Sequence, residues 1–141
     1  MKSTEQLKFQ IKAIDLLDSS LSSPNEPFSG DEVFNFEVNL EHKISKDDPL
    51  LYVICSVRII DSSKKHQYGM IRTSCLYEIP DLAKHFNEKE QQFCLSDMFI
   101  TTLNSISISS SRGIMFSAFR GTVLHNVILP IIDPTDFNLS R

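Results

Sequence analysis

The sequence predicts an α+β fold in which four strand-like blocks come first and one long segment with helical spacing follows them. Three observations carry that expectation. Apolar and polar residues alternate in separate blocks between Leu7 and Ile79, the period of a half-buried strand. A short polar connection joins the third and fourth blocks, which favours an antiparallel hairpin because parallel strands need a longer crossover. Phe99, Leu103, Ile106, Ser110, Ile114 and Ser117 then recur at helical spacing.

Leu7, Phe9, Ile11 and Ala13 alternate with Lys8, Gln10 and Lys12, and the apolar phase then moves to Ile14 and Leu16. Such a phase change predicts a β-bulge or burial on both faces. Ser19 to Pro27 is punctuation, after which Phe34, Phe36, Val38 and Leu40 alternate with Asn35, Glu37 and Asn39. Lys46-Asp47-Asp48-Pro49 marks a loop, since the residue before a proline is pushed out of the helical region. Leu51, Val53, Cys55, Val57 and Ile59 define one face of a third strand, and Tyr52, Ile54, Ser56, Arg58 and Ile60 the other. Gln67 to Ile79 returns as the fourth, and Pro80 ends it.

Asp81 to Gln92 is charged and reads as a loop or short helix. Ser96 or Asp97 is placed to cap a helix start. From Met98 to Arg120 two periods compete, because Ser105-Ile106-Ser107-Ile108-Ser109 alternates like a strand. Six serines between Ser105 and Ser117, each about 0.5 kcal/mol worse than alanine in a helix, leave composition alone undecided. As a helix this stretch would depend on what packs against it. Thr122 to Ile132 reads as extended chain lying on the body, and Asp133-Pro134-Thr135-Asp136 as a turn.

At 141 residues the chain is expected to form a single domain, residues 1–141, large enough to bury a core. A net charge of −4 and a pI near 5.5 argue against nucleic-acid binding, which calls for a basic stripe. The longest basic run is only Lys64-Lys65-His66. No apolar run approaches the roughly 20 residues that span a bilayer, so no membrane insertion is expected. Met1 to Lys8 holds no continuous apolar stretch of the secretory type. Cys55, Cys75 and Cys94 fit neither a disulfide framework nor a zinc knuckle, and read as buried free thiols in a reducing compartment. A cytoplasmic location follows as the expectation.

Chemistry is hard to find. His42, His66, His85 and His125 stand in no metal-ligand spacing, the four glycines are isolated, and no nucleophile elbow occurs. No cofactor is expected, and the chain does not read as an enzyme. Ten phenylalanines without a tryptophan leave apolar surface as the feature with functional content. A wide apolar groove accepts many partners because hydrophobic contact is non-directional.

Phe9-Gln10-Ile11 with Pro24-Asn25-Glu26-Pro27 near the start, and Arg120-Gly121-Thr122 followed by Pro130 near the end, resemble the SecB chaperone family in content and order. The resemblance covers roughly Phe9 to Phe137. It implies a four-stranded antiparallel sheet packed with one long α-helix, from about Asn104 to Thr122, and a homotetramer built as a dimer of dimers. Ser107, Ser110, Ser111, Gly113 and Ser117 would then form the oligomer interface.

By the same resemblance, unfolded or non-native polypeptides are the partners, held without ATP in an apolar groove. Phe36, Val38, Leu40, Tyr77, Ile79, Phe99 and Leu103 are the expected groove walls. Protein export is the implied setting. Control of a toxin–antitoxin pair, with an antitoxin as partner, is the alternative; a small-ligand binder or small enzyme using the same groove is a more distant one. Asp18 matches one acidic position through which the family contacts the translocase motor SecA. Ser22 and Met70 stand at the other two, and the chain stops at Arg141 without the family's second long helix and tail. Docking to SecA is therefore expected to be weak.

Overall fold

Four antiparallel strands form one sheet: β1 (Gln10–Leu21), β2 (Asn35–Ile44), β3 (Leu50–Ile60) and β4 (Gln67–Glu78), in the order β1-β4-β3-β2. In this computed structural model, residues 7–22, 33–45, 47–63 and 66–137 are described. Pro24-Asn25-Glu26-Pro27, Lys46 and Lys64-Lys65 lie outside them. A minimal hairpin, β5 (Phe86–Asn87) with β6 (Gln92–Phe93), follows a 3-10 turn at Leu82–His85. The helix α1 then spans Asp97–Ala118 and crosses the sheet.

Directly opposed residues of an antiparallel pair project to the same face, so the register identifies the face that α1 covers. On β3 it is Leu51, Val53, Cys55, Val57 and Ile59, all fully buried. Opposite them stand Phe36, Val38, Leu40, His42 and Ile44 on β2, and Ile71, Thr73, Cys75 and Tyr77 on β4. The expected irregularity in β1 is real: the register shifts between Ile11 and Ala13 and again between Leu16 and Asp18. The first shift keeps Ile14 and Leu16, like Ile11, on the face that α1 covers. The other face of the sheet is polar toward β2, where Glu37 pairs with Arg58 and Glu41 with Arg72.

The contested serine segment is helical. Ser96 caps it, its hydroxyl accepting the Phe99 amide at 3.1 Å. Gly121 turns the chain beyond the helix with φ of +79°, where a side chain would be strained. Turns run on to Asn126, so the extended chain begins at Val127 rather than Thr122. A 3-10 turn at Pro134–Asp136 closes the described chain, with Asp133 accepting the Thr135 amide at 2.9 Å.

The core has two parts. Leu51, Val53, Cys75, Tyr77, Ile79, Leu82, Leu95, Phe99, Ile100 and Leu103 surround the first half of α1. Cys55, Val57, Ile59, Ile71, Ile108, Met115, Phe119, Leu124, Val127 and Leu129 surround the second. Tyr77, Ile79 and Leu103 are fully buried and Phe99 is 9% exposed, which corrects their expected place in a groove wall. They point between α1 and the inner face of β4 and its continuation, closed off from solvent.

Candidate functional site

Residues three or four apart share a helix face, and on α1 the buried stripe is Leu103, Asn104, Ser107, Ile108, Ser111 and Met115. With Phe99 and Ile100 that face has eight buried residues, three of them polar, and each polar member finds a partner on the protein's own sheet or its C-terminal segment. The Ser111 hydroxyl donates to the Ser107 carbonyl at 2.8 Å and accepts from Thr73 at 2.6 Å. Tyr77 reaches the Ser107 hydroxyl at 2.8 Å and the Leu103 carbonyl at 3.2 Å. Burial pushes the Tyr77 phenol up and the Cys55 thiol up to about 11, so both stay protonated near neutral pH.

This seam corrects the expected oligomer interface. Ser107 and Ser111 are fully buried against β4, and Ser110 is half-buried with its hydroxyl turned back to the Ile106 carbonyl at 2.8 Å. Only Gly113 and Ser117 of the expected set are exposed. With Ser105 and Ser109 they form an outward stripe at four-residue spacing, beside Phe116, which is 47% exposed. A side chain added at Gly113 would meet nothing within 4 Å.

Phe36, Val38 and Leu40 are half-buried and face the space between β2 and α1. Residues 127–137 pack there, against the cluster that Phe36 and Val38 join and against side chains of α1. They pair with no strand of the described sheet. Val127 and Leu129 are buried, Ile128 and Ile131 project outward, and Ile132 and Phe137 pack on the same cluster as Phe36 and Val38. Side chains of α1 hold the segment by its carbonyls. Arg112 donates from Nε to Leu129 at 2.8 Å and from Nη2 to Pro130 at 2.9 Å. Asn104 donates from Nδ2 to the Phe137 carbonyl at 2.7 Å, while its Oδ1 accepts from His42 Nε2 at 2.6 Å.

The sequence does not mark Asn104, His42 and Arg112 as a group. Asn104 does carry a signal, since it shares a helical face with Leu103, Ser107 and Ser111; nothing singles out Arg112. Asp18 is exposed on the outer face of β1, opposite Arg72. Other apolar surface lies along β1, where Ile14, Leu16, Leu17 and Leu21 are each close to half exposed. Among the described residues, no group of three or more histidine, cysteine or acidic side chains could hold a metal ion, and no helix is long and apolar enough to cross a membrane.

No family model matches the chain, and no curated protein matches it in sequence. Among solved structures, the Mycobacterium tuberculosis Rv1957 SecB-like chaperone in complex with a ChAD peptide from Rv1956 HigA1 antitoxin has a TM-score of 0.62 at 13% identity, over 88% of this chain and 89% of that one. A protein of unknown function from Streptococcus agalactiae has a TM-score of 0.48 at 10% identity, over 89% of this chain and 99% of that one. The four-stranded antiparallel sheet packed with one long helix is thus a SecB-like fold.

Proposed function

We propose that this chain is an ATP-independent chaperone that holds unfolded or non-native polypeptide in the groove between β2 and α1. The observation that supports this reading is the apolar inner face of β2: Phe36, Val38 and Leu40 are half-buried there, and an apolar segment of the chain itself packs on the same cluster. Apolar contact is non-directional, so such a groove tolerates many clients. The protein acts as a homotetramer, a dimer of dimers, through the outward stripe of Ser105, Ser109, Gly113 and Ser117 and the exposed side of β1. Several linked grooves raise apparent affinity for one long client through effective concentration. Protein export in the cytoplasm is the setting of this reading.

A second setting has one observation in its favour: the similar Rv1957 structure holds an antitoxin peptide. Here the client would be an antitoxin, and the chaperone would control a toxin–antitoxin pair. The groove chemistry is the same in both.

The test is suppression of aggregation of unrelated denatured proteins without ATP. Replacing Phe36 and Val38 by serine should weaken suppression in a variant whose circular dichroism is unchanged. Full suppression by that folded variant would contradict the groove assignment. A small-ligand binder would instead respond to one saturable compound and hold no denatured protein.

A further inference from the structure

We propose that residues 129–137 are a resident stand-in for client: an extended apolar segment of another polypeptide takes their place, gripped at its backbone carbonyls by Arg112 and Asn104. The inference rests on the holdase reading and adds to it the recognition chemistry and a built-in competitor.

The seated segment shows what the groove reads. Its contacts are of two kinds, apolar side chains and backbone carbonyls. Leu129, Ile132 and Phe137 are turned toward the second part of the core, whereas Ile128 and Ile131 project outward at 58% and 89% exposure. The polar contacts go to the carbonyls of Leu129, Pro130 and Phe137. Every residue of every client carries a carbonyl, so donors aimed at carbonyls select extended backbone without selecting sequence. Arg112 supplies two donors from one rigid plane, a geometry a lysine does not reproduce. Asn104 is held in place by His42, whose Nε2 donates to its Oδ1 and leaves both amide hydrogens for the groove.

The segment is held by packing and by side chains, with Leu129 buried in the second part of the core. No strand ladder holds it, and its described links to α1 are side-chain contacts. Because it is tethered, it competes at high effective concentration. A client then binds only the fraction of molecules whose groove is open, and its apparent affinity falls by that fraction.

The probe is a synthetic fluorescein-labelled peptide with the sequence of residues 127–137, read by fluorescence anisotropy. It should bind the full chain weakly and bind the Ile132→Ser/Phe137→Ser variant at least about tenfold more tightly, because that variant's own segment is loosened. Arg112→Ala in the same background should reverse most of the gain, and Arg112→Lys only part of that loss. Equal affinity for the full chain and the loosened variant overturns the inference. Should the variant not fold, nuclear magnetic resonance on the unaltered chain decides. Added peptide should shift the Arg112 Nε–H and Asn104 side-chain amide signals and speed exchange of the Ile132 amide. Binding that leaves those signals unmoved overturns the inference while leaving the holdase reading in place. Failure both to bind the peptide and to suppress aggregation overturns the two together.

Discussion

Gly113→Leu separates the stability of one protomer from that of the proposed assembly. Gly113 lies on the exposed side of α1, and a Cβ there meets nothing within 4 Å. Glycine in a helix interior is about 0.8–1.0 kcal/mol less favourable than alanine, and leucine is close to alanine. An isolated protomer should therefore gain on the order of 0.5–1 kcal/mol and melt slightly higher. Packed against a symmetry mate, the same leucine is forced into a stripe of serine and glycine, at a cost of about 1–3 kcal/mol. A weakening of that size raises a dissociation constant by roughly 5-fold to 150-fold. Analytical ultracentrifugation over a dilution series, with a thermal melt of the dissociated protein, measures both effects. A variant that keeps the wild-type mass at every dilution refutes the stripe as an interface. A strictly monomeric wild type refutes the assembly.

Three further outcomes are expected. Ser111→Ala should cost about 1–3 kcal/mol by stranding the Thr73 hydroxyl, whereas Ser111→Ala with Thr73→Val should recover much of that loss; denaturant melts of the cycle measure it. Gly69→Ala should lower the melting temperature, at about 1–3 kcal/mol, because its Cβ would come within 2.8 Å of Leu124 Cδ1 and 3.3 Å of the Ser20 carbonyl. Binding to SecA should be weak or undetectable by calorimetry, because of the three expected acidic positions only Asp18 is acidic and it faces Arg72, while Ser22 and Met70 are uncharged and Met70 lies opposite Arg58. Ser22→Glu with Met70→Glu should add affinity at low salt, and submicromolar binding by the unaltered chain would contradict this.

The sheet was legible because its strands carry period-two runs, strictest from Phe34 to Leu40, and a one-residue slip would expose such an apolar set. The first irregularity of β1 shows as a phase change at Ile14; the second, between Leu16 and Asp18, has no such signal. The helix is harder for a physical reason. Its serines are poor helix formers, and two of them earn their place only through Tyr77 and Thr73, residues far away in sequence. The same cause displaces the site residues. Small residues at Ser107 and Ser111 suggest room for a second copy, while the close neighbour is the chain's own sheet. Tyr77, Ile79, Phe99 and Leu103 are apolar in the right elements, yet sequence does not say which side of α1 a groove lies on. The register shows which face of the sheet α1 covers, and the Arg112 contacts show where residues 129–130 pack on α1.

The polar seam has a consequence for the groove that an apolar seam would lack. Hydrophobic packing between α1 and the sheet would allow sliding, since its energy depends on area rather than direction. Hydrogen bonds from Tyr77 to Ser107, from Thr73 to Ser111 and from His42 to Asn104 are directional, and each is worth only about 0.5–1.5 kcal/mol net. Their value lies in position, because a shift of α1 by one residue would strand several buried polar groups at once. The helix is thereby fixed over β3 and β4, and the distance from Arg112 and Asn104 to β2 is fixed with it. The side chains that touch residues 129–137 are held at a set distance from Phe36 and Val38, whatever occupies the space between them.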